Sequence, residues 1–399
     1  MTPSPSGSFA KVSDRFSFHV GQPSVRIFPD SHQWHDALPL CRHDLALSLT
    51  TVSGQVSYGD YFTAVSDYLV QNGTALLRVA EQALNRRLPP EKLTGIQIHL
   101  VKHGAFYHPA MILLSVDGDR LPMVINVAVS EAGRERLPEE AAYLDHLRNS
   151  YPDVYIPAVF GTGVGHTTSG QSLPMFAGQW LDHYYEVHQS AAEATGMKQC
   201  WSVWDTDQGA WRLTDRQTAQ LFHQTAFILT YYFDPHTLCA IRQWHNAAGD
   251  FVVRRKGDDI DVRLIAVRSY TPLIRLDDDE TIDLETLLET LTLFLMQTAM
   301  WLRIDRLDGV DELVWADERV LTPIWNGFVE GLKKMAAMNA FPAEFVSGTA
   351  AYLANHSARD LLEIGLQITS RYPADLPEAA LMRDRLPAHA EQLAAVIEL

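Results

Sequence analysis

The pattern of apolar and polar positions changes period over residues 95–130. Ile96, Ile98 and Leu100 are separated by Gln97 and His99, the period-two pattern of a half-buried strand. A loop, His103-Gly104-Ala105-Phe106-Tyr107-His108-Pro109, leads to an apolar run at 110–116. Asp117-Gly118-Asp119 is a turn signal, and 121–130 reads as a third strand. Three short strands joined by tight turns predict an antiparallel meander. A helix is expected at 137–150, with Pro138 near its start and Glu139 and Glu140 favoured by the helix dipole. Two further strands are expected at 155–160 and 173–176, around a turn at Gly161-Thr-Gly-Val-Gly165.

On either side of this block the period changes. Residues 58–88 carry apolar spacings of three and four, which predicts one or two amphipathic helices with a break at Asn72-Gly73. Residues 1–55 look irregular and read as an arm. Beyond Gly178 the chain is expected to be mostly helical, with a clear amphipathic helix at 215–233. One strand pair interrupts it, at 251–255 and 262–267, joined by Lys256-Gly257-Asp258-Asp259. Strands first and helices later predict an α+β chain with segregated parts: an arm (1–57), a sheet-built part (58–177), a helical part holding a hairpin (178–335, hairpin 243–268) and a helical extension (336–399).

Composition narrows the classes. Hydrophobic residues make up 47% of the 399 and charged residues 20%, which suits a sizeable core. The formal net charge of −17 argues against a general nucleic-acid binder, which needs clustered cations. Cys41, Cys200 and Cys239 form no CxxC pair, so a disulfide framework or zinc ribbon is not expected and a reducing, cytoplasmic setting is. The first residues show no basic end followed by an apolar stretch, and no run of about 18 apolar residues occurs. No membrane partner is expected.

The chemistry concentrates in Gln243-Trp-His-Asn-Ala-Ala-Gly-Asp-Phe-Val-Val253. This stretch, and the order of elements over residues 95–335, resembles the protein-kinase-like fold. The flavour is that of small-molecule kinases such as aminoglycoside and choline phosphotransferases. The resemblance implies a two-lobed protein, a small antiparallel sheet with one inserted helix followed by a larger helical lobe. Family members carry His-Gly-Asp, four residues, then Asn and an apolar strand. Laid on without gaps, His245 stands at the catalytic Asp, Asp250 at the metal-binding Asn and Gln243 at the family's His. Arg268 stands where a second metal-binding Asp is expected. Asn126 takes the place of the third-strand Lys, while Glu140 matches that Lys's usual partner. The first loop, with Lys102 and His103, has a single Gly, so its amides are less free to wrap phosphates.

The resemblance therefore implies a pseudokinase or regulator that binds a nucleotide or other small ligand in the inter-lobe cleft. Lys102, His103, Asn126, Glu140 and Arg268 would contact it. Two alternatives stay open. One is an atypical phosphotransferase with ATP and Mg, in which His245 is the base and Asp250 holds the metal. The other is a protein-interaction module whose arm and helical tail (Phe345, Leu353, Leu361, Leu362, Ile364) carry the contacts.

Other motifs read as structural. His183 and His188 are five apart, unlike the i, i+4 pair of a zinc-protease helix. The run Asp277-Asp-Asp-Glu280 lacks the spaced ligands of a calcium loop and suits the start of a helix at 283. Trp201, Trp204 and Trp211 bracket a turn and read as core anchors. A nucleophile elbow, a Rossmann fingerprint and a P-loop are not found in the sequence.

Overall fold

The computed structural model describes residues 24–28, 34–41, 55–190, 199–206, 208–246, 249–276, 281–338 and 340–398. The run Asp277–Glu280 and most of the expected arm lie outside the described residues. The chain is α+β and divides into two compact units. One comprises Met1–Asn149 and Pro157–Asp182, the other Ser150–Ile156 and His183–Leu399. An antiparallel-rich sheet in the first and abundant helix in the second are consistent with the kinase-like fold class.

The first unit is built on a six-stranded sheet. Its strands are β1 (Ser24–Phe28), β2 (Leu93–Leu100), β3 (His108–Val116), β4 (Asp119–Val127), β5 (Val159–His166) and β6 (Ser172–Gln179), in the order β1-β2-β3-β4-β6-β5. Two helices precede β2: α1 (Tyr58–Gln71) and α2 (Gly73–Leu84). The meander is as expected, and β3 alternates buried and half-buried along its whole length. Ile96, Ile98, Ile112, Leu114 and Ile125 form one core with Tyr61, Phe62, Val65 and Leu69 of α1. Each fully buried side chain of this kind contributes about 1.5–3 kcal/mol.

Three expectations for this unit are corrected. Part of the irregular arm is strand β1, which pairs parallel to β2. The Gly161–Gly165 stretch is not a turn but the body of β5; the reversal follows it at Thr167–Gly170. The reason is α1, packed directly on β5. A Cβ at Gly165 would overlap the Ala64 carbonyl, and one at Gly163 would lie 2.9 Å from the Tyr68 ring. Finally, the inserted helix α3 runs over Glu131–Ser150 and starts before Pro138, its first turn held by Ser130, whose Oγ accepts from the Gly133 N–H at 3.1 Å.

The second unit holds a five-stranded antiparallel sheet of β7 (Tyr185–Ser190), β8 (Cys200–Val203), β9 (Trp211–Arg212), β11 (Phe251–Lys256) and β12 (Asp259–Leu264), in the order β12-β11-β7-β8-β9. Strands β7 to β9 were not expected, but helices dominate the rest of this unit as expected. Helix α4 (Asp215–Tyr231) lies where expected and starts with a capping box of Thr214 and Gln217. The pair β10 (Cys239–Arg242) and β13 (Ser269–Pro272) brackets the β11–β12 hairpin. Helix α5 (Leu284–Leu302), capped by Asp283, leads to β14 (Ile304–Arg306) and β15 (Leu313–Trp315).

Helix α6 (Leu321–Ala337) packs on α4 through Gly327 and Gly331, which sit against His223, Phe227 and Thr230. The last helices are α7 (Ala343–Ala354), α8 (Ala358–Ser370) and α9 (Pro377–Ile397). Leu353 and Leu361, two members of the proposed docking face, are buried inside this unit. Among the described residues no helix is long and apolar enough to cross a membrane.

Candidate functional site

The segment between β10 and β11 is held by backbone geometry that side chains rarely adopt. Gln243 has φ 59° and Gly249 φ 66°, both left-handed. A non-glycine residue kept there stores strain that its surroundings must hold. At Gln243 the neighbouring interaction is visible: its carbonyl accepts from Arg268 Nη1 at 2.9 Å. At Gly249 the left-handed backbone favours glycine, and a Cβ there would also press on the Glu186 side chain.

These turns place Asp250 against Arg268. The two form a two-pronged ion pair, Nη1 to Oδ2 and Nη2 to Oδ1, a geometry suited to the planar guanidinium. Asp250 is 2% exposed and Arg268 8%. The His245 N–H also donates to Asp250 Oδ2, at 2.7 Å. Both oxygens of the carboxylate are thus engaged by donors, and the ion pair ties the 243–250 loop to the strand that follows the hairpin. A buried charge in this position persists only when paired and hydrogen-bonded.

His245 and Asn246 fix the other side of the loop. The His245 imidazole Nε2 is buried 3.5 Å from Glu378 Oε1 at the start of α9, and its ring meets Trp301 edge-on at 5.3 Å. Arg306 Nη2 lies 3.9 Å from the same Glu378 oxygen. Burial acts to raise the Glu378 carboxyl, but hydrogen bonding and the charges of His245 and Arg306 hold it below its ordinary value. Asn246 Nδ2 donates to the Leu302 carbonyl at 3.1 Å, which anchors the loop to the end of α5.

Beside this loop lies a buried cluster for which the sequence offered only a weak signal. His188, on the central strand β7, has Nδ1 3.2 Å from Asp305 Oδ1 and Nε2 3.4 Å from Glu186 Oε2. Asp305 also accepts from the Gln189 and Arg306 N–H groups, at 2.8 and 2.7 Å. Burial alone would lower the His188 pKa; the hydrogen bonds and charges of the two carboxylates outweigh it and lift the value to about 9. His188 is therefore a buried cation at neutral pH. The alternation in Tyr185–Ser190 was the available sign of a strand, but nothing in the sequence tied it to Asp305.

The remaining sequence-derived residues belong to the first unit. Glu140, on α3, is buried and accepts from the Tyr107 hydroxyl at 2.9 Å. The Tyr107 ring meets Phe176 edge-on at 6.4 Å. Asn126 lies on β4, paired across the sheet with Pro109 and Phe176. Lys102 and His103 lie in the β2–β3 loop. His103 Nδ1 is 3.1 Å from Nδ1 of the buried His108, so the two rings share one proton between those atoms. Burial lowers the His103 pKa; burial and the neighbouring His103 charge lower that of His108 to about 3. The structure thus brings His245, Asp250 and Arg268 together in one unit, and Glu140 with Tyr107 in the other.

The residues at Asp250 do not suit a divalent metal. A metal needs carboxylate lone pairs in a shell of oxygens, and those of Asp250 face a guanidinium and an amide N–H. Among the described residues no group of three or more His, Cys, Asp or Glu is placed to hold a metal ion.

No family model matches this chain, and no curated protein matches it. One similar solved structure is WaaP in complex with acyl carrier protein. It is 10% identical, with a TM-score of 0.27, over 67% of this chain and 88% of that one. A likeness this loose carries no functional argument.

Proposed function

We propose that this protein is a kinase-like protein without phosphotransfer activity, a pseudokinase that acts by binding rather than by catalysis. The observation that supports this reading is the Asp250–Arg268 ion pair. In-line phosphoryl transfer needs divalent metal to neutralise phosphate charge. In the kinase-like alignment Asp250 and Arg268 stand at the two metal-holding positions, and here they neutralise each other. Arg268 stands where a metal ion would and takes up both oxygens of Asp250.

The catalytic alternative draws on His245 and its pairing with Glu378, since a histidine oriented by a carboxylate can serve as a base. Its Nε2, however, is buried toward Glu378, and the backbone N–H of the same residue is committed to Asp250. A nucleotide or other phosphate-bearing ligand remains the proposed class of small-molecule partner, taken without magnesium.

The test is a thermal-shift titration of the full chain with ATP, with and without magnesium. The expected result is either no shift or a shift that magnesium leaves unchanged. Tight, magnesium-dependent ATP binding, or phosphate transfer abolished by His245→Ala, overturns the proposal.

A further inference from the structure

A second site lies elsewhere in the helical unit, and the argument for it is independent of the reading above. A cavity of about 450 Å³ is walled by β15, helix α9 and the end of β7, with Gln189, Arg303, Trp315, Leu381, Arg385 and Gln392 among its lining. That size falls in the range of small-molecule pockets.

Its inner wall carries a buried cation with neutral hydrogen-bond partners. Arg303 is 3% exposed. Its Nε donates to the Ala316 carbonyl at 2.8 Å, and its Nη1 to Gln392 Oε1 at 2.9 Å and His389 Nδ1 at 3.1 Å. The guanidinium lies over the Trp315 ring, 4.8 Å from its centre. All three acceptors are uncharged: burial and the charge of Arg303 hold the His389 pKa near 3. Asp317 and Glu318 also line the cavity, and their charges act on Arg303 against its burial, but neither hydrogen-bonds it, and Asp317 is engaged by Arg319 at 2.7 Å. A guanidinium buried this deeply without a hydrogen-bonded carboxylate is costly in a folded protein.

The second observation is a polar atom with no partner. Gln189 is 4% exposed and lines the same cavity. Its backbone N–H is bonded to Asp305, but its buried Oε1 has no hydrogen-bond partner. Buried acceptors are nearly always satisfied, and one left over at a cavity wall points to a missing donor. Arg385, exposed at the rim, is paired with Asp384 at 3.3 Å.

We propose that this cavity binds a small organic anion. Its carboxylate or phosphate would sit against Arg303, and an O–H or N–H of the same molecule would donate to Gln189 Oε1. The Trp315 and Leu381 side chains would cover its apolar part.

The test titrates the full chain with inorganic phosphate and with acetate, each against chloride at matched ionic strength, and follows thermal stability. The expected result is a saturable rise beyond chloride with at least one of the two; the more effective anion identifies the head group. Gln392→Glu places a carboxylate on Arg303 from within. It is expected to raise the melting temperature of the ligand-free protein and to weaken the anion effect roughly tenfold or more. Should that variant not fold, Gln189→Leu removes the acceptor without touching Arg303 and carries the same comparison. The proposal is overturned if neither anion exceeds chloride, or if the effect is unchanged in Gln392→Glu or Gln189→Leu.

Discussion

Replacing Arg268 by Met removes the positive half of a pair whose other half, Asp250, is 2% exposed. The carboxylate is left with the His245 N–H at 2.7 Å and no cation on its oxygens. Breaking a buried ion pair from one side costs about 3–5 kcal/mol, because the partner charge stays buried and uncompensated. Asp250→Leu leaves Arg268 with the Gln243 carbonyl, and the expected loss is again about 3–5 kcal/mol. In the double variant neither charge remains. What is left is the unsatisfied His245 N–H, worth roughly 1–3 kcal/mol. The cycle should therefore be strongly non-additive, with the double variant no less stable than either single one. At roughly 2–4 °C per kcal/mol for a unit of this size, each single variant should melt about 6–20 °C lower. Urea denaturation followed by tryptophan fluorescence reads the transition, since Trp244 lies 5.5 Å from the Phe251 ring, next to the pair. Single losses under about 1 kcal/mol, the range of exposed ion pairs, or strict additivity in the double variant, would refute the reasoning.

Gly165→Ala should destabilise the sheet-built unit by several kcal/mol, as overpacking does at a contact that cannot relax; Gly170→Ala is not an equivalent control because Gly170 has φ 83°, so Gly161→Ala, where a Cβ meets open space, is the comparison, and equal stability of the two variants would contradict the packing account of β5. His188 has a folded pKa raised to about 9. Its contribution is fully present below about pH 6.5 and is lost as pH rises through 9, an alkaline loss of roughly 3 kcal/mol. His108 and His389, both lowered to about 3, act in the opposite window, losing stability as pH falls below about 6.5. His188→Gln should flatten the alkaline limb of a denaturation series and leave the acid limb in place; an unchanged alkaline limb counts against the buried cation.

The parts of the fold legible in the sequence are those whose causes are local. The meander of β2 to β4 followed from alternation and the Asp117-Gly118-Asp119 turn, and α4 from its apolar period. What escaped depends on residues far apart in the chain. The Gly161–Gly165 stretch has the composition of a turn, and only α1, about a hundred positions earlier in the chain, makes it a strand. Strand β7 carries His188 and Gln189 into the interior, where Asp305, from a distant part of the chain, bonds the His188 ring and the Gln189 backbone N–H. Strand β1 is short and takes its order from pairing with β2.

The candidate site was legible in part for the same reason. Alignment with a phosphotransferase pattern singled out Asp250 and Arg268 as a carboxylate and a cation at two ligand positions. That they face each other depends on the left-handed turns at Gln243 and Gly249, which side-chain pattern does not encode. Arg303 and Gln392, on either side of the α6–α8 region in sequence, left no joint signal at all.

The claim that Arg268 stands in place of a metal is tested most directly by manganese binding. Mn²⁺ retained by the full chain, with and without ATP, can be counted by its paramagnetic resonance signal. The account predicts no saturable site at Asp250: wild type and Asp250→Asn retain the same amount, and ATP does not change it. A saturable Mn²⁺ site present in wild type and lost in Asp250→Asn would contradict it.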